Sequence, residues 1–251
     1  MCAHYENIRD PRVIRDHFKA QPTQVPVRAD VWPGYQGSFI MRPREADYGD
    51  EAVAERVEVP GVFGLLPHWA KDDKLSRHTY NARSETVAEK PSFRDSWRKA
   101  RHCIIPAAAI WEPDWGSGKA VATRIGRADG QPMGIAGLWD QWRNPKGEWI
   151  YSCTMLTINA DAHAFMRQFH RPGDEKRTVV ILPEEAYGPW LTASADQSRS
   201  FLQPWPADGL VRTSALPAKE GAQAPSAGQN LHTNGPIGVR GLWEARPARS
   251  R

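Results

Sequence analysis

The chain has 251 residues, 40% of them hydrophobic and 25% charged, values ordinary for a globular protein and enough for one large core or two modest ones. Lys+Arg 33 against Asp+Glu 29 gives a net charge of +4, a mild bias toward polyanions that is weak on its own because many enzymes are as basic. No run of about 18 apolar residues is present, and the N-terminus lacks the basic-then-apolar secretory pattern, so neither a membrane span nor export is expected. Cys2, Cys103 and Cys153 form no close pair and no metal spacing. That odd count fits reduced cytosolic thiols, and no metal or cofactor is expected. The 11 Trp residues are unusual; packing explains most such residues, although aromatics near basic side chains can stack nucleic-acid bases.

In chain order, residues 6–19 carry Ile8, Val13, Ile14 and Phe18 at a spacing that predicts a short amphipathic helix, with Pro11 in its first turn. Gln21 to Pro43 reads as extended and turn-rich, with a buried strand at Phe39-Ile40-Met41. Val53 to Phe63 alternates apolar with charged residues and reads as a half-exposed strand, followed by the apolar loop Gly64 to Trp69. Tyr80 to Ala88 begins extended and turns into a helix. Another helix starts at Ser92, with Ser92 as cap and Asp95 three residues on. Cys103 to Trp111 is an apolar strand that enters a loop at Glu112-Pro113. Further strands are predicted at 120–125, 133–139, 150–157 and 178–182, and short helices at 161–169 and 184–192. The sum is a mainly β, α+β domain with a curved or barrel-like sheet. From about Lys219 the chain turns to Pro, Gly, Ala and Ser, a loosely packed tail.

The chemistry-bearing residues are few. Loss of Met1 leaves Cys2 as the first residue, with a free α-amine (pKa about 7.7–8.0) beside a thiol (about 8.5). Both would titrate near neutral pH, and together they can condense with one aldehyde to a Schiff base and then a thiazolidine. The bland alternative is a frayed terminus. Asn81 and Arg83 share one side of an extended segment, Glu112 is a carboxylate emerging from an apolar strand and suited to moving protons, and His170-Arg171 ends a candidate helix. Each also has a structural explanation: Asn81 holding a turn, Arg83 pairing with Glu85, Glu112 as a solvated strand end, His170 as a surface residue.

Asn81-Ala82-Arg83-Ser84-Glu85-Thr86, Arg101-His102-Cys103-Ile104-Ile105-Pro106-Ala107 with Trp111-Glu112, and His170 before Lys176 to Leu182 resemble the SOS-response-associated peptidase (SRAP) family in its order. The Met-Cys start, Pro33-Gly34 and Gly64 to Trp69 belong to the same pattern. The resemblance implies a single α+β domain over residues 2–218, built around a distorted, mainly antiparallel β-barrel with short peripheral helices, with 219–251 as tail. It implies a monomer that binds single-stranded DNA in a basic cleft, cytoplasmic and nucleoid-associated when on DNA. Cys2 would trap the ring-opened aldehyde of an abasic site. Asn81 would orient the terminal residue or the sugar. Glu112 would assist Schiff-base formation, and His170 would move protons at the sugar hydroxyl. Arg83 would hold phosphate and Trp69 would stack on a base, with Pro33 and Arg171 beside the DNA.

Several residues depart from the family pattern. Ala3-His4 replaces a common Gly-Arg, Asp30-Val31-Trp32-Pro33 replaces Asn-Val-Ala-Pro, and Phe63, Ala70 and Pro113 stand where Trp or another aromatic is frequent. The stretch 171–175 lengthens the segment after His170. Two other readings remain open: a cysteine peptidase using Cys2 for self-processing, and a non-catalytic DNA-binding module.

Overall fold

A computed structural model describes residues 2–43, 46 and 54–213, all within the first of two units into which the chain divides, Met1–Ser214. The predicted tail and Val53 lie outside the described residues. The strands are β1 (His4–Asn7), β2 (Asp30–Val31), β3 (Gln36–Met41), β4 (Val57–Phe63), β5 (Asn81–Arg83), β6 (His102–Asp114), β7 (Val121–Arg127), β8 (Met133–Arg143), β9 (Trp149–Asn159), β10 (Arg177–Val179), β11 (Ile181–Leu182) and β12 (Leu210–Thr213). Helices α1 (Pro11–Asp16), α2 (Arg94–Arg98) and α3 (Tyr187–Thr192) are short, with 3₁₀ segments of three to six residues between other elements.

Five strands close on themselves: β3 pairs β4, β4 pairs β9, β9 pairs β8, β8 pairs β6, and β6 returns to β3. Every step is antiparallel except β4 to β9, where Val62 and Phe63 face Ser152 and Cys153 in parallel register. Closure leaves these strands no free edge. Alternation then sorts the side chains. Phe39, Phe63, Cys103, Ile105, Ile135, Cys153 and Met155 belong to one buried cluster, while Ile40, Ile104, Ala136, Leu138 and Leu156 belong to a second that packs against all three helices. Both faces of β3, β6, β8 and β9 are therefore largely dry, which is why much of their sequence reads as apolar runs, whereas β4 keeps one face partly exposed.

Seven further strands hang on this frame, and the expected α+β barrel with small peripheral helices is what the chain forms. β1 lies along β6, with His4 opposite Trp111 and Tyr5 opposite Ile110. Gly37 permits this docking: a Cβ there would lie 2.3 Å from the buried Tyr5 hydroxyl. Gly64 sits at φ +121°, where a side chain would collide with the Ser76 backbone, and so begins the loop that carries Trp69.

The local expectations that fail do so for identifiable reasons. The helix predicted over 6–19 is only Pro11–Asp16, because residues 4–7 pair with β6 and the Asp10 side chain caps the helix at the Arg12 amide (2.9 Å). β4 begins at Val57, and its alternation is inverted. Glu58 is buried and accepts from Ser38 Oγ (2.6 Å) and the Thr23 amide (3.0 Å), while Val57 and Val59 are only partly buried. Residues 84–90 form turns rather than a helix, and α2 begins at Arg94 with no side-chain cap from Ser92. The helix expected at 161–169 reduces to one 3₁₀ turn, Met166–Gln168, where His163 Nδ1 accepts the amides of Phe165 and Met166. The strand at 178–182 splits, β10 adding to β9 and β11 to β8.

Candidate active site

Strand β6 does not end at Trp111 but runs on to Asp114, so Glu112 sits within it, 1% exposed rather than solvated. Pairing along β6 carries the chain's beginning to the same place. Cys2 is buried among the barrel's apolar cluster, with its thiol 3.4 Å from the His4 carbonyl, and is not a frayed end. From the other side β5, added in parallel to β9, brings Asn81, whose Nδ2 donates to the Cys2 carbonyl at 2.7 Å. Asn81 Oδ1 is buried with no hydrogen-bond partner among the described residues.

His170 completes the group. Its Nε2 lies 3.0 Å from Glu112 Oε2, and its backbone takes the left-handed φ of +64°, uncommon for a residue other than glycine. Two contacts hold that conformation: the His170 amide donates to the Pro113 carbonyl (2.9 Å), and Lys176 Nζ donates to the His170 and Arg171 carbonyls (3.1 and 2.8 Å). Strained backbone maintained by its surroundings is a feature of working sites. Pro113 has no amide hydrogen to give, yet its carbonyl is what holds the His170 backbone amide.

Burial, and then the charge of Glu112, push the Cys2 thiol well up. Tyr80, at the entrance to β5, also has its hydroxyl pushed up, by burial first and then by Cys2 and Glu112. Tyr80 was not singled out in the sequence, because a lone Tyr before a motif carries no spacing signal.

The four remaining candidates stand around this group rather than in it. Arg83 is half exposed and its guanidinium is 3.0 Å from Glu175, not Glu85; Glu85 instead takes the buried Arg177 (2.9 Å), which also holds Glu175. Arg171 is exposed beside His170. Pro33 is half-buried, and Trp69 is 45% exposed. A cleft of about 210 Å³ opens beside Asn81 and Arg83, lined also by His78, Thr79, Lys90 and Phe93. The departures from the family pattern are built in: Phe63 is core, and the Ala70 carbonyl accepts from Trp142 Nε1 (2.7 Å). Among the described residues no cluster of three or more His, Cys, Asp or Glu side chains could hold a metal ion.

Fold and geometry together define a barrel protein in which a buried near-terminal cysteine lies beside an asparagine and the carboxylate of a carboxylate–imidazole pair. The chain belongs to the SOS response associated peptidase (SRAP) family, whose model matches residues 1–215. It is 36% identical over 152 residues to the abasic site processing protein YoqW of Bacillus subtilis, a match covering 59% of this chain and 64% of that protein. It is 26% identical over 171 residues to the abasic site processing protein HMCES of Rattus norvegicus, covering 57% and 47%. The chain thus spans less than two thirds of the length of these relatives. A crystal structure of a protein from Bordetella bronchiseptica is 50% identical, with a TM-score of 0.76 over 85% of this chain and 100% of that one. One from Bacteroides thetaiotaomicron, 19% identical with a TM-score of 0.66, shares the fold alone.

Proposed function

We propose that this protein processes abasic sites by trapping them covalently, in single-stranded DNA, through Cys2 freed of Met1. The α-amine of Cys2 adds to the C1′ aldehyde of the ring-opened sugar, and loss of one water gives a Schiff base. The thiol then adds across the C=N bond, its proton passing to nitrogen, and a five-membered thiazolidine closes. The balance is one aldehyde plus one aminothiol giving one ring and one water. The amine attacks first, and the thiol follows with its proton. Glu112 and His170 relay protons for water loss and sugar ring opening, Asn81 fixes the Cys2 backbone, and Arg83 takes a flanking phosphate. Trp69, Pro33 and Arg171 line the strand's path. The protein acts as a monomer in the cytoplasm and shields the lesion from strand scission.

The observation that carries this reading is the 2.7 Å hydrogen bond from Asn81 to the Cys2 carbonyl, made beside the Glu112–His170 pair. A denaturing gel with abasic single-stranded DNA tests it: a heat-stable shifted band is expected for the wild type and none for Cys2→Ser. No band from the wild type, or the same band from the variant, ends the idea.

The family's description also contains the word peptidase, and Cys2 as a hydrolytic nucleophile is the second reading. It needs a thiolate, which burial and Glu112 both oppose. Intact mass of protein made with methionine aminopeptidase blocked separates the two, since continued loss of Met1 requires self-cleavage.

A further inference from the structure

His4, Asp30 and Trp32 are three of the positions that depart from the family pattern, and they touch one another. The His4 imidazole lies between two indoles, with ring centroids 4.1 Å from Trp32 at 13° and 5.3 Å from Trp111 at 10°. Its Nε2 is 2.8 Å from Asp30 Oδ1; a carboxylate only accepts, so Nε2 is the donor and the plane of the imidazole is fixed. The inner indole is fixed as well. Trp111 Nε1 donates to Glu6 Oε1 (3.2 Å), and Arg124 clamps that carboxylate at 2.9 and 2.7 Å. Trp32 ends the stack and is 45% exposed, in a loop pinned by the Gly34 amide on the Phe63 carbonyl (2.7 Å) and the Tyr35 amide on the Trp32 carbonyl (2.8 Å). Tyr35 is exposed next to it, with the Arg28 guanidinium 4.8 Å above its ring. The stack is tied to the site, because the His4 carbonyl receives the Cys2 thiol.

We propose that the outer face of Trp32 is the stacking site for one unpaired nucleobase adjacent to the abasic residue held at Cys2. The proposal rests on the reading above and names a subsite of it. An indole already immobilised by His4 and Trp111 loses little rotamer freedom on binding, so most of the stacking energy is retained. Base-on-aromatic stacking contributes about 1–3 kcal/mol per base and tolerates any base. Asp30, His4 and Arg28 make the rim polar and leave one ring of apolar area. That area suits a single base rather than a protein face of several hundred Å².

The test measures reversible binding of single-stranded DNA carrying a tetrahydrofuran abasic analogue, which has no aldehyde. Trp32→Ala should weaken binding roughly 5- to 100-fold with an unchanged salt slope, and Trp32→Phe should recover most of it. Replacing one flanking nucleotide by a second tetrahydrofuran should cost the wild type the same factor and cost Trp32→Ala nothing more. Equal binding by Trp32→Ala and wild type overturns the proposal, as does the same further loss in both when the base is removed. A wild-type dimer that Trp32→Ala abolishes also overturns it, since the occupant is then a second copy. The aldehyde-bearing strand is run in parallel. Absence of the Cys2-dependent band sinks both readings, whereas its presence with unaffected Trp32→Ala binding sinks this one alone.

Discussion

Cys2, Cys103 and Cys153 are all buried in one apolar cluster, and burial raises the thiol of each. Around Cys103 and Cys153 there is little else: each lies on a barrel strand among aliphatic and aromatic side chains, and the second influence on Cys103 is Cys153 itself. Around Cys2 the same dry cluster meets Glu112, Asn81, His170 and Tyr80. Burial alone makes a thiol inert; the proposed function assigns chemistry to the one thiol buried beside an acid, an imidazole and an amide. A parallel contrast holds for the imidazoles. Buried His102 has Trp190 and Ser198 as company, and its pKa falls to about 4, mainly by burial, whereas buried His170 faces a carboxylate.

The contrast can be broken experimentally, and the largest effect should come from the cysteines themselves. Cys2→Ser should abolish the covalent band, while Cys103→Ala and Cys153→Ala should retain it and lose about 1–3 kcal/mol of stability, measured by denaturant unfolding. Next come Glu112→Gln and His170→Ala. Each should slow cross-linking by about 10²–10⁴-fold in single-turnover assays, with binding of uncleavable DNA largely kept. The buried imidazole without a carboxylate gives a third test. Unfolded His102 takes a proton near its ordinary 6.5, but the folded state refuses it until about 4, so stability should fall as pH drops through that window. The loss should reach about 3 kcal/mol, and His102→Gln should remove that slope from unfolding curves recorded between pH 7 and 4.

Smaller effects sharpen the picture at the rim. Asn81→Ala removes one buried hydrogen bond to the Cys2 carbonyl and should slow the reaction about tenfold without changing DNA affinity. Glu175 holds Arg83 at 3.0 Å, so a phosphate must compete with that carboxylate. Glu175→Gln should therefore raise single-strand affinity several-fold and steepen the salt dependence by about one phosphate, read by fluorescence anisotropy.

Much of the candidate site was legible because its residues lie in local motifs: Asn81 and Arg83 two apart, Glu112 after an apolar run, His170 before a strand, Cys2 at the start. What they face was not. Arg83 reaches Glu175, 92 residues away, rather than Glu85, because β5 and the segment before β10 both lie along β9. Glu58 looked solvated because strand alternation assigns faces only up to inversion, and its partners Ser38 and Thr23 lie outside its own strand. The stack of His4 on Trp32 and Trp111 joins three segments, and no periodicity records it.

The sequence by itself determined the apolar runs that become barrel strands and the few side chains able to do chemistry, because patterning and residue type are local properties. Tertiary structure decided that β1 lies against β6 and β5 against β9, and with that where Cys2, Asn81 and Glu112 meet. Strand pairing is a choice among many hydrogen-bonding edges of similar energy. Only closing the barrel and burying both of its faces selects one.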